Sequence, residues 1–548
     1  MCGICGFIDH KPRSALDTVD MLIRLRHRGP DQAGIYIDGI TFQVKNTDEL
    51  RGIDANGRIS LGQSRLEIVG GKEGIQPISG RVLTIVHNGE IYNYRELREL
   101  IDSPDMRSTS DSEVLVRFIE LFYGGNLLEA VKKAMPFLDG MYAFAVTDGK
   151  TLVLARDPIG KKPVYFTDGF PFFFASERKA LIKVKGGNRI KRLPPGVILE
   201  VSENEIRVER GYSIEKPPIE INDMEEALSA YERAFDRAVR KRVSGLKRVG
   251  VLFSGGIDSV LVSRALQLYG CDITCYSVGS EDGDDIKMAL KVARELGFRI
   301  RVKYLTEELI EELLPEIVEA IELNGLIQVE AAIPMYIAAR MCREDNHKVM
   351  FTGQGADELF AGYSWYNDVV REDGYTALHL RLWEDIENLY IDTLEREDRM
   401  AMAHAIELRA PFLDRELIRT AMRISPRLKI RDAFDPYRKI VHRELALRKG
   451  IPLDIAYRKK SRAQDGTGVH NMIESLAKRY FKGKSFKRVN VLDYGSNYRY
   501  LDEEYSTPEA EAFLDEIAKR NNVWFLARSD EDAIKASAYQ TNLLRKLT

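Results

Sequence analysis

The stretch LFSGGIDS, Leu252 to Ser259, decides the fold of the larger part of this chain. The apolar run RVGV precedes it and the run VLVSRALQLYG follows it, which predicts a β-strand that turns directly into a helix. Its two glycines let the backbone approach an anion closely, and the first turn of the helix offers free amides and a positive dipole end. A plain turn needs neither the flanking serines nor Asp258. The stretch therefore indicates a phosphate-binding loop, although it lacks the Gly-Lys-Ser/Thr ending of a Walker A motif.

Strands and helices alternate on the C-terminal side of this loop. The strand-like runs DITCYSVG, FRIRVKYL and KVMFTG are separated by amphipathic stretches such as DIKMALKVARELG. Apolar strands separated by amphipathic helices predict a parallel sheet built from βαβ units, an α/β fold. Ligands of such sheets bind beyond the carboxyl ends of the strands, which is where LFSGGIDS is expected to lie.

The N-terminal side shows a different pattern, in which short strands are joined by tight turns. GMYAFAVTDGKTLVLARD, residues 140–157, predicts a hairpin, and KKPVYFTDGFPFFFASE adds two short strands. Packed sheets with a few helices predict an α+β sandwich. A Pro-Pro pair marks the junction, and Asn222-Asp223 opens a helix that runs to about Val243. We therefore predict two domains, residues 1–212 and 223–548, with a linker at 213–222.

Length, charge and cysteine content restrict the class of protein. A chain of 548 residues is too long for one hydrophobic core. It carries 81 basic and 84 acidic residues, so it has no general electrostatic reason to bind nucleic acid or a membrane surface. No apolar run approaches the roughly 18 residues of a membrane span, and no leader segment is recognisable. Together with five cysteines, an odd number, these features predict a protein of the reducing cytoplasm.

Cys2 and Cys5 in MCGICGFIDH stand at the spacing of a redox or zinc-binding pair. Zinc needs about four ligands, but the other close pair, Cys271 and Cys275, lies in an apolar strand where free cysteines act as small hydrophobes. A thioredoxin-like dithiol belongs at the start of a helix, whereas this run predicts a strand leading into a turn. Removal of Met1 would give Cys2 a free α-amine that can take the thiol proton. A buried structural cysteine is the alternative.

Six motifs, taken in order, resemble the class II glutamine amidotransferases, whose domain has the N-terminal nucleophile fold. They are Cys2-Gly3-Ile4, RHRGPD at 26–31, RLEIV at 65–69, NGEIYN at 88–93, Ser110-Asp111 and RDPIGKKPVY at 156–165. Read alone, NGE fits a hairpin turn and SDSE a helix N-cap. The resemblance implies that Cys2 attacks the side-chain amide of glutamine, forms a thioester and releases ammonia, with Asn88 and Gly89 in an oxyanion hole. It assigns glutamine binding to Arg65, Leu66, Ile68, Val69, Asn88, Gly89, Glu90 and Asp111, and makes Cys5 a core residue.

The phosphate-binding loop itself resembles that of ATP pyrophosphatases, which adenylate a substrate and release pyrophosphate. SVG at 277–279, TGQGADELFAGY at 352–363, DRMAMAHAIELRAPFLD at 398–414 and RKKSRAQDGTG at 458–468 extend the resemblance to asparagine synthetases that hydrolyse glutamine. It implies that Asp258 and Asp357 hold Mg²⁺, for which carboxylate oxygens are suitable ligands, and that Lys460 stabilises phosphate charge during adenylation. The ATP site implied by the resemblance consists of Leu252, Ser254, Gly255, Gly256, Asp258, Ser259, Val278, Thr352 and Gly353.

The two resemblances together imply a ligase with two sites. Glutamine would supply ammonia at the first site, and ATP with Mg²⁺ would convert aspartate to an acyl adenylate at the second. Ammonia would have to travel through an internal passage, because ammonium is not a nucleophile. Members of the family often form homodimers, and the resemblance suggests a homodimer here. The region after about residue 470 receives no function.

Gln354 departs from the family's pattern, which usually has glutamate at this position for formation of the aspartyl adenylate. Glutamine keeps the shape but cannot carry a negative charge or act as a base. Either a neighbouring carboxylate such as Glu358 compensates, or an amidotransferase of the same architecture activates another carboxylic acid. A cyclising relative of the β-lactam synthetase kind has little use for a glutaminase site, and a non-catalytic descendant would have lost motif residues that are present here.

Overall fold

A computed structural model describes residues 2–101, 105–184, 186, 188–203, 205–459, 467–485 and 508–520. The described residues form two compact units. The first unit contains the described residues up to Ser213 together with Met402–Ala405, and the second contains the described residues of Ile214–Ala401 and 406–520. Within the described part of the chain, every helix is too short or too polar to reach across a lipid bilayer.

The first unit is built from two antiparallel sheets. The seven-stranded sheet has the spatial order β11-β9-β10-β1-β4-β2-β3, and the six-stranded sheet has the order β13-β12-β8-β7-β6-β5. The strands are β1 (Cys2–Ser14), β2 (Gln32–Ile37), β3 (Ile40–Val44), β4 (Asn56–Arg65), β5 (Ile78–Ser79), β6 (Thr84–Ile91), β7 (Gly140–Thr147), β8 (Leu152–Arg156), β9 (Tyr165–Thr167), β10 (Phe172–Ala175), β11 (Ile190–Arg192), β12 (Val197–Val201) and β13 (Ile206–Arg210).

Helices cover this pair of sheets. They are α1 (Leu16–Leu25), α2 (Tyr94–Glu99), α3 (Asp111–Glu120), α4 (Leu127–Ala134) and α5 (Arg178–Leu181). One apolar core combines Ile4 and Leu61 of the first sheet with Val86 and Leu154 of the second, so the two sheets pack face to face. A second core lies between the six-stranded sheet and α3 and α4, and a third lies between the seven-stranded sheet and α1 and α5. The unit is therefore a four-layered α+β sandwich, as predicted.

The second unit contains one five-stranded sheet in which all strand pairs are parallel. Its spatial order is β16-β15-β14-β17-β18. The strands are β14 (Arg248–Leu252), β15 (Asp272–Gly279), β16 (Arg299–Tyr304), β17 (Val349–Phe351) and β18 (Glu407–Arg409). The helices are α6 (Met224–Val243), α7 (Ile257–Leu268), α8 (Asp284–Leu296), α9 (Glu307–Ile321), α10 (Leu326–Glu344), α11 (Ala356–Phe360), α12 (Trp365–Leu389), α13 (Glu395–Met402), α14 (Arg415–Arg423), α15 (Ile440–Arg448), α16 (Leu453–Ala456), α17 (Val469–Tyr480) and α18 (Pro508–Arg520).

Several local predictions are confirmed. Residues 140–157 form the β7–β8 hairpin, and Asp223 caps α6 by accepting from the Glu226 amide at 2.9 Å. Ser110 likewise caps α3. The interpretation of NGE as a turn is wrong, because Asn88 and Gly89 lie within β6, opposite Ala143 and Tyr142. The turn expected soon after Cys5 is also absent from this described strand, since β1 continues to Ser14 with a register shift.

Candidate active sites

Cys2 begins a strand in the interior of the first sheet. β1 lies between β4 and β10, and Cys2 pairs with Arg65, the last residue of β4. The Cys2 backbone nitrogen donates to Asn88 Oδ1 at 3.1 Å, and the Cys2 carbonyl oxygen accepts from Arg28 Nε at 3.1 Å. Both backbone groups of the candidate nucleophile are therefore held by side chains from elsewhere in the unit. Cys5 lies fully buried on the same strand, as predicted for a core residue.

Burial raises the pKa of the Cys2 thiol above its ordinary value, and Asp111 acts in the same direction. The terminal ammonium, the Leu66 backbone and the Arg65 guanidinium oppose this shift in pKa. The resting thiol is therefore neutral and needs a base before it can act as a nucleophile. Removal of Met1 would create such a base, the α-amine of Cys2 itself.

Asn88 and Gly89 belong to β6, and Asn88 contacts Cys2 of β1. Asn88 Oδ1 accepts from Cys2, while Asn88 Nδ2 is buried and has no hydrogen-bond partner among the described residues. Gly89 has a φ of +150°, and a Cβ at this position would overlap the Met141 carbonyl oxygen. An oriented, unpaired donor beside a nucleophile can meet negative charge that develops on a substrate oxygen.

Arg65 presents its guanidinium near Cys2 and is almost fully buried. Its Nη1 donates to Gln32 Oε1 at 2.5 Å and its Nη2 to the Val69 carbonyl at 3.0 Å, so the chain after β4 folds back over this side chain. Leu66 packs with Met402 and Ala405, and Ile68 packs against the same cluster. Arg65 and Val69 therefore supply polar groups here, whereas Leu66 and Ile68 supply apolar contacts.

Asp111 opens α3 and lies beside the end of β6. Its Oδ2 accepts from the Ile91 amide at 2.9 Å, which brings the carboxylate next to the strand segment that carries Glu90. Asp111 and Glu90 are both buried. The structure thus brings together Cys2, Arg65, Asn88, Gly89, Glu90 and Asp111, which the sequence places on four separate segments.

The candidate nucleotide residues lie at the carboxyl ends of three adjacent strands. Leu252 ends β14, Val278 lies near the end of β15, and Thr352 follows β17. β14 is flanked by β15 and β17, so these positions share one edge of the sheet. Gly255 has a φ of +68°, and a Cβ at this position would lie 2.8 Å from the Ala289 nitrogen. Glycine therefore allows the close turn from β14 into α7.

The serines of the loop hold its backbone. Ser254 Oγ accepts from the Gly256 amide at 3.2 Å, and Ser259 Oγ donates to the Gly256 carbonyl at 3.0 Å. Ser254 is exposed at the turn, whereas Ser259 is buried. The exposed hydroxyl and the amides of the first turn of α7 are suitable donors to phosphate oxygens.

The loop after β17 packs directly on the start of α7. A Cβ at Gly353 would lie 2.7 Å from Asp258 Cβ and 3.0 Å from the Ser259 nitrogen. Only a residue without a side chain permits this approach. The two predicted segments of the nucleotide site are therefore in contact.

Asp258 and Asp357 converge on Lys439, which the sequence did not single out. Lys439 Nζ lies 2.6 and 2.7 Å from the two Asp258 oxygens and 2.8 Å from Asp357 Oδ1. Burial alone would lower the pKa of Lys439, but the two carboxylates raise it, so the side chain is an ammonium ion. A pair of carboxylates around a bound cation is a site where positive charge is favoured.

His442 and Tyr231 extend this network. His442 Nε2 lies 3.1 Å from Asp258 Oδ1, and its Nδ1 lies 2.7 Å from the Tyr231 hydroxyl. Burial lowers the pKa of His442, and burial together with Asp258 raises the pKa of Tyr231 well above its ordinary value. A protonated phenol therefore donates to Nδ1 of a neutral imidazole, which directs Nε2–H toward Asp258.

Known proteins share both halves of this architecture. Residues 1–190 match the family model described as "Glutamine amidotransferase domain", and residues 230–377 and 370–527 match the one described as "Asparagine synthase". A protein of Methanocaldococcus jannaschii named as a glutamine-hydrolysing asparagine synthetase is 36% identical in an alignment that covers 89% of this chain and 97% of the relative. This chain belongs to the asparagine synthetase family. Asparagine synthetase 2 of Arabidopsis thaliana, also named as glutamine-hydrolysing, is 28% identical over 87% of this chain and 80% of the relative.

Gln354, which stands where the family usually has glutamate, is half-buried in the loop before α11. Its backbone N–H donates to Thr352 Oγ1 at 3.3 Å. Glu358 lies on α11, where its Oε1 accepts from the Tyr363 hydroxyl at 2.6 Å. Burial, reinforced by Asp357, raises the pKa of Glu358 to about 7. Lys460, the remaining catalytic candidate, lies outside the described residues.

Whether this chain can hold a magnesium ion at the phosphate-binding loop depends on two carboxylates, those of Asp258 and Asp357. Among the described residues, no group of three or more His, Cys, Asp or Glu side chains is arranged to hold a metal ion. Asp258 and Asp357 nevertheless both contact the Lys439 ammonium, so their oxygens already bind a cation. Mg²⁺ is commonly held by one or two carboxylates plus substrate phosphates. The donor set therefore fits Mg²⁺ together with pyrophosphate oxygens.

Sequence reasoning also missed Arg28 and Glu177. Arg28 belongs to the quoted motif RHRGPD, and Glu177 ends the quoted run FFFASE, but neither received a role from its motif. Their pairing joins positions 149 residues apart, and the Lys439–Asp258 pair joins positions 181 apart. No local periodicity reports such contacts.

Proposed function

We propose that this chain synthesises asparagine from aspartate, ATP and the amide nitrogen of glutamine. The observation that supports this most strongly is the 36% identity to a relative named as such an enzyme, over nearly the full length of both chains. The juxtaposition of Cys2 with Asn88, and of Asp258 with Asp357, supports one site for each half of the reaction.

At the first site, after removal of Met1, the free α-amine of Cys2 takes the thiol proton and Sγ attacks the glutamine side-chain carbon. Asn88 Nδ2 and the Gly89 amide stabilise the oxyanion of the tetrahedral intermediate. The carbon–nitrogen bond then breaks, ammonia leaves with the proton, and water hydrolyses the thioester to glutamate. Arg65 binds the glutamine carboxylate, and Asp111 with Glu90 binds its ammonium group.

At the second site, an oxygen of the aspartate side-chain carboxylate attacks the α-phosphorus of ATP and pyrophosphate leaves. Ammonia then attacks the acyl carbon of the adenylate, and AMP departs. The first turn of α7 receives the pyrophosphate, with Ser254, Gly255, Gly256 and Ser259 as donors. Leu252 and Val278 contact the adenosine, Thr352 and Gly353 supply backbone contacts to the nucleotide, and Lys460 stabilises phosphate charge.

Asp258 and Asp357 would hold Mg²⁺, which would supply charge neutralisation on the pyrophosphate. Lys439 contacts both carboxylates and so holds them close to each other. We also propose a homodimer and a cytoplasmic location, as the family resemblance and the cysteine content predict. Light scattering of the purified protein tests the first of these.

The acceptor is aspartate in this proposal, despite Gln354. Glu358, four residues further along the chain on α11, supplies a carboxyl group whose pKa is raised to about 7. The deciding experiment measures pyrophosphate release with ATP, Mg²⁺ and glutamine, with and without aspartate, and detects asparagine by chromatography. Pyrophosphate that depends on aspartate, together with asparagine, would support the proposal. Glutamine hydrolysis without either product would show that another acid is the acceptor.

Cysteine variants separate the two sites. Cys2→Ala should abolish asparagine formation from glutamine but preserve formation from ammonium chloride, because the second site uses ammonia from either source. Cys5→Ala is the matched control, since Cys5 is fully buried on the same strand and its Sγ contacts the Thr18 carbonyl oxygen at 3.7 Å, away from the glutamine-binding side chains. Glutamine-dependent asparagine formation that persists in Cys2→Ala, or that is lost selectively in Cys5→Ala, would contradict the assignment of Cys2 as the nucleophile.

A further inference from the structure

Near Cys2, one buried carboxylate is surrounded by three basic side chains, of which one is fully buried and two are partly exposed. Glu177 is fully buried and directly follows β10. Its Oε1 accepts from Arg28 Nη1 at 2.7 Å, and its Oε2 lies 3.0 Å from Lys179 Nζ and 3.1 Å from His27 Nε2. We call Glu177, His27, Arg28 and Lys179 the Glu177 cluster.

The cluster reaches Cys2 through Arg28. Arg28 is fully buried, and its Nε donates to the Cys2 carbonyl oxygen at 3.1 Å. The same guanidinium thus binds Glu177 with one nitrogen and the nucleophile's backbone with another. A planar guanidinium has donors in a fixed geometry, so the position of its carboxylate partner determines where Nε points.

The backbone around the cluster is fixed relative to β1. The Ile4 amide donates to Ser176 Oγ at 3.0 Å, and the Ser176 amide donates to the Ile4 carbonyl at 2.9 Å. Gly29, next to Arg28, lies so close to β4 that a Cβ would overlap the Ser64 carbonyl. Glu177 and Arg28 are therefore carried by segments that are each tied to the strands that meet at Cys2.

The charges of the cluster favour an ionised carboxylate. Burial alone would raise the pKa of Glu177, but Lys179, His27 and Arg28 hold it well below its ordinary value. Burial lowers the pKa of His27, so the imidazole is neutral at neutral pH. A buried guanidinium needs a counter-ion, and Glu177 is the anion that contacts Arg28 directly.

We propose that Glu177 is a positioning residue for glutamine hydrolysis, which acts through Arg28 to fix the backbone of Cys2. This inference rests on the proposed function of Cys2 as the nucleophile. Once Met1 is removed, Cys2 has no preceding peptide to hold it, so contacts to its nitrogen and its carbonyl must orient Sγ. A displacement of about 1 Å at a nucleophile can reduce the rate roughly 100-fold. Glutamine binding involves other side chains and should change much less.

The test compares Glu177→Gln with the wild-type full-length protein. Glutamine keeps the shape of the side chain but removes the charge that holds Arg28. We expect the kcat of glutamine hydrolysis to fall roughly 10- to 100-fold with KM within about threefold, and asparagine formation from ammonium chloride to stay unchanged. Alkylation of Cys2 by iodoacetamide should slow in parallel with kcat. Glu209→Gln is the control, because Glu209 also pairs with two cations, Lys132 at 2.8 Å and Arg207 at 3.2 Å, but lies in the other sheet.

The outcomes separate this inference from the proposed function. If the wild type hydrolyses glutamine and Glu177→Gln does so at the same rate, the positioning role is wrong. If the wild type does not hydrolyse glutamine, the proposed function itself fails. If Glu177→Gln loses the ammonia-dependent activity as well, Arg28→Lys decides, because lysine keeps a cation beside Glu177 but cannot hold both partners with a fork of donors. Selective loss of hydrolysis in Arg28→Lys supports the inference, and loss of both activities or of neither overturns it.

Discussion

The substitution Asn88→Asp isolates the oxyanion donor of the glutaminase site. Aspartate keeps the size of the side chain and the oxygen that accepts from the Cys2 nitrogen at 3.1 Å. It replaces Nδ2, the buried amide nitrogen that has no partner among the described residues, with an oxygen that cannot donate when ionised. The change therefore preserves the contact to Cys2, removes the donor and places a negative charge in its position.

The expected loss is that of one oxyanion-hole donor. Such a donor contributes about 3–4 kcal/mol to transition-state stabilisation, which corresponds to a roughly 100- to 1000-fold decrease in kcat. A carboxylate beside the developing negative charge makes the upper end of this range more applicable. KM should change by less than about threefold, because the donor acts mainly in the transition state.

The assay measures glutamate release over a range of glutamine concentrations, and asparagine formation from ammonium chloride on the same preparation. The second measurement reports an intact synthetase site in a folded chain. A kcat for hydrolysis within threefold of the wild type would refute the oxyanion assignment. A loss confined to KM would instead assign Asn88 to glutamine binding.

Three further predictions concern the second unit. Gly353→Ala would place a methyl group 2.7 Å from Asp258 Cβ, so ATP-dependent pyrophosphate release should fall at least tenfold while glutamine hydrolysis is retained. Lys429 is fully buried, its Nζ has no hydrogen-bond partner among the described residues, and burial lowers its pKa to about 7. Since the unfolded chain then binds more protons, wild-type stability should rise between pH 7 and 10. Lys429→Met should be more stable than the wild type at pH 7 by about 4 kcal/mol, and calorimetry should show this advantage shrinking as pH rises. Burial raises the pKa of Glu358 to about 7, so its contribution to stability is complete below about pH 4.5 and is lost as the pH rises through 7. Glu358→Gln should flatten this decline when the melting temperature is measured across that pH range.

The features that could be predicted from the sequence are those set by residues close together along the chain. The strand, loop and helix around Leu252–Ser259, the β7–β8 hairpin and the Asp223 cap each follow from a short pattern of apolar spacing and turn residues. The family resemblance added the residues that assemble at Cys2 and at the carboxyl edge of the parallel sheet. The local patterns and the family motifs can both be recognised from the linear sequence, without knowledge of which segments come into contact.

Other features depend on pairing between distant segments. Asn88-Gly89 has the composition of a turn, but pairing with β7 holds it extended, so tertiary hydrogen bonds outweigh the local preference. Lys439 stands in a helix-forming basic stretch, and its role follows only from the distance between its Nζ and two carboxylates. Glu177 is likewise one acidic residue among 84 acidic residues until the fold brings Arg28 against it.

The contact between Lys439 and Asp258 also bears on the order in which the second unit can assemble. The two residues are 181 positions apart, so ribosomal synthesis exposes the phosphate-binding loop long before its cationic partner exists. Until Lys439 arrives, Asp258 and Asp357 repel each other across the site, and the entropy of closing so long a loop slows their final arrangement. A fragment that stops before Lys439 should therefore be a poor basis for crystallisation, nucleotide titration or inhibitor screening, even though it contains the entire LFSGGIDS motif.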